Sequence, residues 1–341
     1  MDLHAQHNDT GMIDVHTHVV PQSFPAYVGR HLDAPWPSMA SAQTCDHQHV
    51  MVSGSVYRTV SHHCWDCAVR KADMQARGVG RQVLSPMPEL LSYWMEPEDG
   101  AVMCRYLNEV IATMVADDAG HFVGLAAVPL QDVGLAIQAL DFAVHQLGLV
   151  GVEIGGNING VAIGAPRFLP FFEAAADWGA AVFVHPLRPT GMDRLVGPAA
   201  LEQVLAFPVE TGLAAASMIT GGTLARLPRL RIAYSHGGGS LNALLPRLQH
   251  AWQSLPPVRD ALPVEPLQAA RRMFYDNLVY DANTIHRLIQ VFGSSQIMVG
   301  TDYPFSIMDN DPAGRLRSLD LPDDVIHQLR SDNARRWLDL A

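Results

Sequence analysis

The chain has 341 residues, of which 48% are hydrophobic and 17% charged, a globular composition able to bury a large core. Its formal net charge of −11 argues against nucleic acid or an anionic membrane as the main partner. Four cysteines, Cys45, Cys64, Cys67 and Cys104, are too few for a disulfide framework at this length. Met1 to Gly11 is polar and carries Asp2 and Asp9 instead of a cationic, apolar leader. No apolar run reaches the ~20 residues a membrane span needs, so a reduced, cytoplasmic enzyme is expected.

The first strand is read at Met12–Val20, an apolar, β-branched run carrying His16 and His18. Residues i and i+2 of a strand point to the same side, so these two imidazoles offer half of a divalent-metal site. Residues 21–64 break the pattern and read as a long, lid-like insertion with a hairpin around Met51–Arg58. From Ala68 onward short β-like runs alternate with amphipathic segments. The strands are expected at Arg81–Ser85, Phe122–Val128, Val150–Ile154, Ala180–His185, Arg231–His236, Phe274–Tyr280 and Gln296–Thr301. Helices are expected at Asp99–Ala116, Gly134–Gln146, Leu169–Trp178, Leu241–Ser254 and Asn283–Phe292, with one or two more in Leu201–Leu227 and in the tail Leu321–Leu340. Pro256–Pro266 reads as an irregular connection. Eight such units are the count of a (β/α)8 TIM-type barrel, α/β in class, with residues 1–341 forming a single domain. A doubly wound sheet is disfavoured because no Gly-rich phosphate fingerprint follows the first strand.

Polar residues fall at the ends of these strands. The fifth strand ends in His185, the sixth in His236 before Gly237-Gly238-Gly239, and the eighth runs into Asp302. Barrel active sites collect side chains from the C-terminal ends of several strands. His16, His18, His185, His236 and Asp302 therefore converge on one rim, as a metal site requires. His62-His63-Cys64-Trp65-Asp66-Cys67 contains a C-x-x-C but no second pair at zinc-ribbon spacing; Asp66 reads there as a helix N-cap.

Four motifs in this order, D-V-H-T-H at Asp14–His18, His185-Pro186, S-H-G-G-G-S at Ser235–Ser240 and G-T-D-Y-P-F at Gly300–Phe305, resemble the amidohydrolase superfamily. More narrowly they resemble its decarboxylase branch and, within it, the α-amino-β-carboxymuconate-ε-semialdehyde decarboxylases. The likeness takes in Trp65-Asp66, Val128–Asp132 and the spacing from His236 to Arg247 and Trp252. It implies one divalent ion, usually zinc and manganese in some relatives, held by His16, His18, His185 and Asp302. It implies His236 as the acid/base, with Asp302 as a further proton carrier. It also implies Arg247 as a carboxylate-binding arginine that reaches the partner's site in a homodimer, and Arg58 as a second substrate arginine whose spacing to Trp65 is one residue short. Arginine suits that task because its planar fork pairs bidentately with a carboxylate. Phe305, closing the last motif, is counted with the substrate contacts.

Two departures matter. Lys71 is the only lysine, so no carboxylated lysine bridges two ions at the fourth strand; Glu153 stands there instead, and a single ion is preferred. After His185-Pro186 come Leu187-Arg188 where the family has a tryptophan, so Arg188 either binds a further carboxylate or faces solvent. The expected function is metal-dependent, non-oxidative decarboxylation of a carboxylated muconate semialdehyde or hydroxy- or amino-aromatic acid in ring degradation. The same site in a hydrolase or hydratase acting on a small organic acid is the alternative, and a non-catalytic metal-binding protein the second.

Overall fold

Eight parallel strands follow the eight apolar runs in a computed structural model that describes residues 11–31, 33–198 and 200–340. The polar residues 1–10, where no leader is expected, lie outside the described residues. The strands are β1 (Met12–Val19), β2 (Val79–Pro86), β3 (Phe122–Ala126), β4 (Gly151–Gly155), β5 (Ala181–His185), β6 (Arg231–Tyr234), β7 (Phe274–Asp276) and β8 (Ile297–Met298). They pair in sequence order, and the sheet curls until β8 meets β1. There Val15 N donates to Val299 O at 2.9 Å and His18 N to Tyr303 O at 2.7 Å. The architecture is a (β/α)8 barrel.

Inside it Ile13, Val15, Val83, Leu125, Phe183, Ala233 and Met298 form one dry layer, sealed by Trp337 and Leu338 of the C-terminal helix Asn333–Leu338. Between Asp14 and Thr17, β1 takes three steps where β2 takes two. The extra residue is a β-bulge, which re-aims the side chains beyond it. Ile13 and Val15 fill the interior layer, and His16, of opposite parity, still turns inward against Phe183, with ring centroids 5.2 Å apart.

Four strands end at least two residues earlier than the sequence suggests, β3 among them at Ala126. β7 stops at Asp276 because its carboxylate turns back to accept the amides of Gly237 at 2.8 Å and Leu278 at 3.1 Å. β6 stops at Tyr234 because the backbone enters the left-handed region at His236 and Gly237. β8 keeps only two regular residues and continues as isolated bridges to β1.

The insertion carries a three-stranded antiparallel sheet of Ser38–Ser41, His47–Val52 and Ser55–Ser61. The hairpin is where it was expected; the short polar strand Ser38–Ser41 left no periodic signal. Pro256–Pro266 is not wholly irregular, since Pro256–Ala261 makes a short helix. Asp66 caps the helix Cys67–Arg77 by accepting the amides of Ala68 and Val69. No helix among the described residues is long and apolar enough to cross a membrane.

One residue of that helix braces the rim. Arg70 is fully buried; its Nη1 donates to His18 O and His63 O, each at 2.9 Å, its Nη2 to Thr17 Oγ1 and its Nε to Gln82 Oε1. Its guanidinium also lies over the Tyr303 ring, 4.8 Å from the centroid. Arg70→Met should cost about 3 kcal/mol, because two backbone carbonyls, the Gln82 amide oxygen and a hydroxyl then lose their donor away from water. Urea titration measures this, and a loss below about 1 kcal/mol would mean that water replaces the guanidinium.

Candidate metal centre

β1, β5 and the segment after β8 deliver His16, His18, His185 and Asp302 to one point. One ligand atom from each lies within 4.8 Å of all the others, and all four residues are buried. The rings of His16, His18 and His185 meet pairwise edge-on, with every centroid separation 5.1 Å. Asp302 Oδ1 stands 3.0 Å from His18 Nε2 and 3.5 Å from His16 Nε2. Asp302 reaches this position with φ at +65°, and His236 its own with φ at +55°. Such backbone strain in non-glycine residues concentrates at functional sites.

The far side of each ring says which nitrogen faces inward. His16 Nδ1 is 2.7 Å from Asp276 Oδ2, His185 Nδ1 is 2.8 Å from Pro186 O, and His18 Nδ1 is 3.4 Å from Pro86 O. An imidazole whose Nδ1–H is taken by an oxygen presents Nε2 as a lone pair, the usual outer-shell support of a metal-binding histidine. The buried Nε2 atoms of His16 and His18 have no hydrogen-bond partner. Asp302 is close to both without the alignment of a hydrogen bond, as neighbouring ligands about 2.0–2.2 Å from one ion are. The residues fit a divalent cation.

Electrostatics agree. Burial pushes the His185 imidazolium well below the usual histidine range and lowers His18 as well, leaving both neutral. For His16 burial acts the same way, but the Asp276 hydrogen bond and the Asp302 charge outweigh it and carry the ring up to about 9. Burial opposes the charge on Asp302, yet His18 and His16 overcome it and hold the carboxyl at about 2. Without a cation the Asp276 and Asp302 carboxylates hold a proton on His16; a cation bound at Nε2 would take that proton's place.

A cavity of about 320 Å³ opens on the cluster. His236 lines it beside the ligands, its ring centroid 5.3 Å from those of His16 and His185. Burial, then the neighbouring His16, push it down to about 4, so it stands neutral. Phe305 also lines the cavity, stacked on His18 at 5.1 Å, with the Arg58 guanidinium 4.3 Å from its ring centroid.

Arg188 faces the same cavity, but its Nη2 donates to Glu89 Oε1 at 2.8 Å and its guanidinium lies 3.1 Å from the Trp94 ring centroid. Arg247 is exposed on the helix Leu241–Ser254 and does not line its own protomer's cavity. Glu153 stands outside the four-ligand group, its oxygens buried without a hydrogen bond, and burial pushes its carboxyl well up.

Sequence reasoning missed Asp276, the partner of His16, although the strand-end rule that found Asp302 applies to it. It also missed Asp14, which ties β1 to the segment after β8 by accepting Thr301 Oγ1 at 2.6 Å and Thr301 N at 3.1 Å. Glu89 and Glu202, both on the cavity wall, carry no sequence signal at all.

Comparison with known proteins follows the same lines. The amidohydrolase family model matches residues 13–340. A 2-amino-3-carboxymuconate-6-semialdehyde decarboxylase of Dictyostelium discoideum is 33% identical over 330 residues, 96% of this chain and 91% of its own. Among solved structures, the 5-carboxyvanillate decarboxylase of Sphingomonas paucimobilis superposes with a TM-score of 0.76 at 27% identity, covering 82% of this chain and 85% of its own. A dihydroxybenzoic acid decarboxylase from a Polaromonas species, with manganese and the inhibitor 2-nitroresorcinol bound, shares the fold at TM-score 0.73 and 23% identity, over 82% of this chain and 88% of its own. With that family matched from β1 to the C-terminal helix, and a relative one third identical along almost its whole length, the chain belongs to the amidohydrolase family.

Proposed function

We propose that the chain is a metal-dependent, non-oxidative decarboxylase of a small carboxylated aromatic or unsaturated acid. The observation that carries this reading is a four-residue cluster that opens on a cavity with a further histidine, His236, beside it. A closed structural site would need neither. The relatives that share the sequence or the fold remove carboxylates from a muconate semialdehyde, a vanillate and a dihydroxybenzoate.

Three imidazoles and a carboxylate suit zinc and also admit manganese. A divalent cation held by His16, His18, His185 and Asp302 would supply positive charge to an oxygen-rich acid and stabilise the charge that builds as carbon dioxide leaves. The chain's own groups do the rest. Arg58, over the Phe305 ring, presents a planar fork to a substrate carboxylate, while Phe305 adds an apolar contact on the cavity wall. Breaking the carbon–carbon bond leaves an electron pair on the ring or chain carbon, which a proton must meet. His236, neutral at rest, is placed to take a proton from solvent at the imidazole nitrogen not engaged by Ser235 Oγ and to pass it to that carbon.

The insertion 21–64 acts as a lid in this reading, since Tyr57 and Arg58 of its hairpin line the cavity. A homodimer sharing Arg247 fits the exposed face around it. Leu205, Val209, Leu213 and Leu244 are each 42–51% exposed, on the segment Glu202–Thr220 and the helix packed against it. Four unpaired cysteines suit a reducing, cytoplasmic setting.

Incubating metal-loaded protein with carboxymuconate semialdehydes and hydroxybenzoates should release carbon dioxide; a product formed without it would shift the reading to hydrolysis or hydration. His236→Ala should keep its metal by elemental analysis while turnover falls about 10²–10⁴-fold; loss of the metal would make His236 a ligand. Inactive His236→Ala and Arg247→Ala proteins should regain part of the activity when dissociated and mixed, and no recovery would refute a shared site.

A further inference from the structure

The cavity has two walls of different chemistry. One is the ligand cluster with His236 and Phe305. The other carries Tyr57, Glu89, Arg188 and Glu202. On this second wall every charge but one is engaged. Arg188 is spent on Glu89 and the Trp94 ring, and Arg58 bridges the two walls over Phe305. Glu202 is half-buried, yet among the described residues it makes no ion pair and no side-chain hydrogen bond. Its carboxyl is raised first by burial and then by the charge of Glu89, only partly offset by Arg58 and Arg188. A cavity-lining carboxylate in this state repels a substrate carboxylate and is completed by a hydrogen-bond donor.

We propose that Glu202 is a specificity-determining residue whose carboxylate accepts a hydrogen bond from an N–H or O–H substituent of the substrate, remote from the carboxylate that leaves. The inference rests on the decarboxylase reading for the identity of the leaving group. It adds the residue that reads the amino or hydroxyl group of such an acid, at the end of the molecule away from the leaving carboxylate. The repulsion also sets orientation, because it turns the acid group away from Glu202 and towards Arg58 and the ligand cluster. A methyl group of the same size would leave Glu202 buried against carbon and unpaired.

Calorimetric binding to the metal-loaded protein tests this without turnover. The probes are 2-hydroxybenzoates substituted at position 4 or 5 with an amino, a hydroxyl or a methyl group. At one of the two positions the amino or hydroxyl compound should bind roughly ten- to a hundredfold tighter than its methyl counterpart. Glu202→Ala should shrink that ratio to within about twofold, and Glu202→Gln, which keeps volume and one acceptor oxygen, should retain part of it. Should the alanine variant fail to fold, the glutamine variant must still reduce the ratio. Equal ratios in wild type and variants, or no binding of any probe, overturn the proposal. Binding with the expected ratio but no carbon dioxide from any probe would count against the decarboxylase reading instead and leave Glu202 assigned.

Discussion

Three imidazoles and a carboxylate taken out of water to one point are the constraint on which the rest of this structure depends. Buried polar groups are costly unless bonded, and here the inward nitrogens of His16 and His18 have no protein hydrogen bond to make. The fold holds them there all the same. Asp276 grips His16 at 2.7 Å, a bulge in β1 turns the histidines inward, and Arg70 ties the end of β1 to the helix behind it. This much fixed structure around unpaired lone pairs makes physical sense when a cation completes it.

Much of this was legible before folding because the barrel converts chain order into spatial order. Each strand ends on the same rim, so His16, His18, His185, His236 and Asp302 could be gathered by counting strands, and only the family resemblance set His236 apart from the other four. What failed to show were residues whose meaning depends on a distant partner. Asp276 is hidden because the strand-like run Phe274–Tyr280 continues past it; in the fold its carboxylate ends that strand by accepting two backbone amides. Arg70 reads as an ordinary polar position of an amphipathic helix, and nothing local reveals that it is buried. Arg188 reads in the sequence as a charge beside the site, but its pairing with Glu89, 99 residues away, is a tertiary fact.

The same distinction separates the reaction from its substrate. Catalytic groups sit at strand ends, where position is nearly determined by topology. The cavity wall is built by loops: the insertion hairpin for Arg58 and Tyr57, the turn after β2 for Glu89, and the segment before the helix Phe207–Thr220 for Glu202. Loops can change their side chains while the barrel stays the same. That is why relatives of this fold act on different carboxylated molecules and why Glu202 had to be found in three dimensions.

The central claim, one divalent ion held by these four residues, is tested most directly by anomalous diffraction from metal-loaded crystals. A single peak per chain should lie about 2.0–2.2 Å from Nε2 of His16, His18 and His185 and from a carboxylate oxygen of Asp302. Two peaks, a peak bound by Glu153, or none at saturating metal would contradict the account.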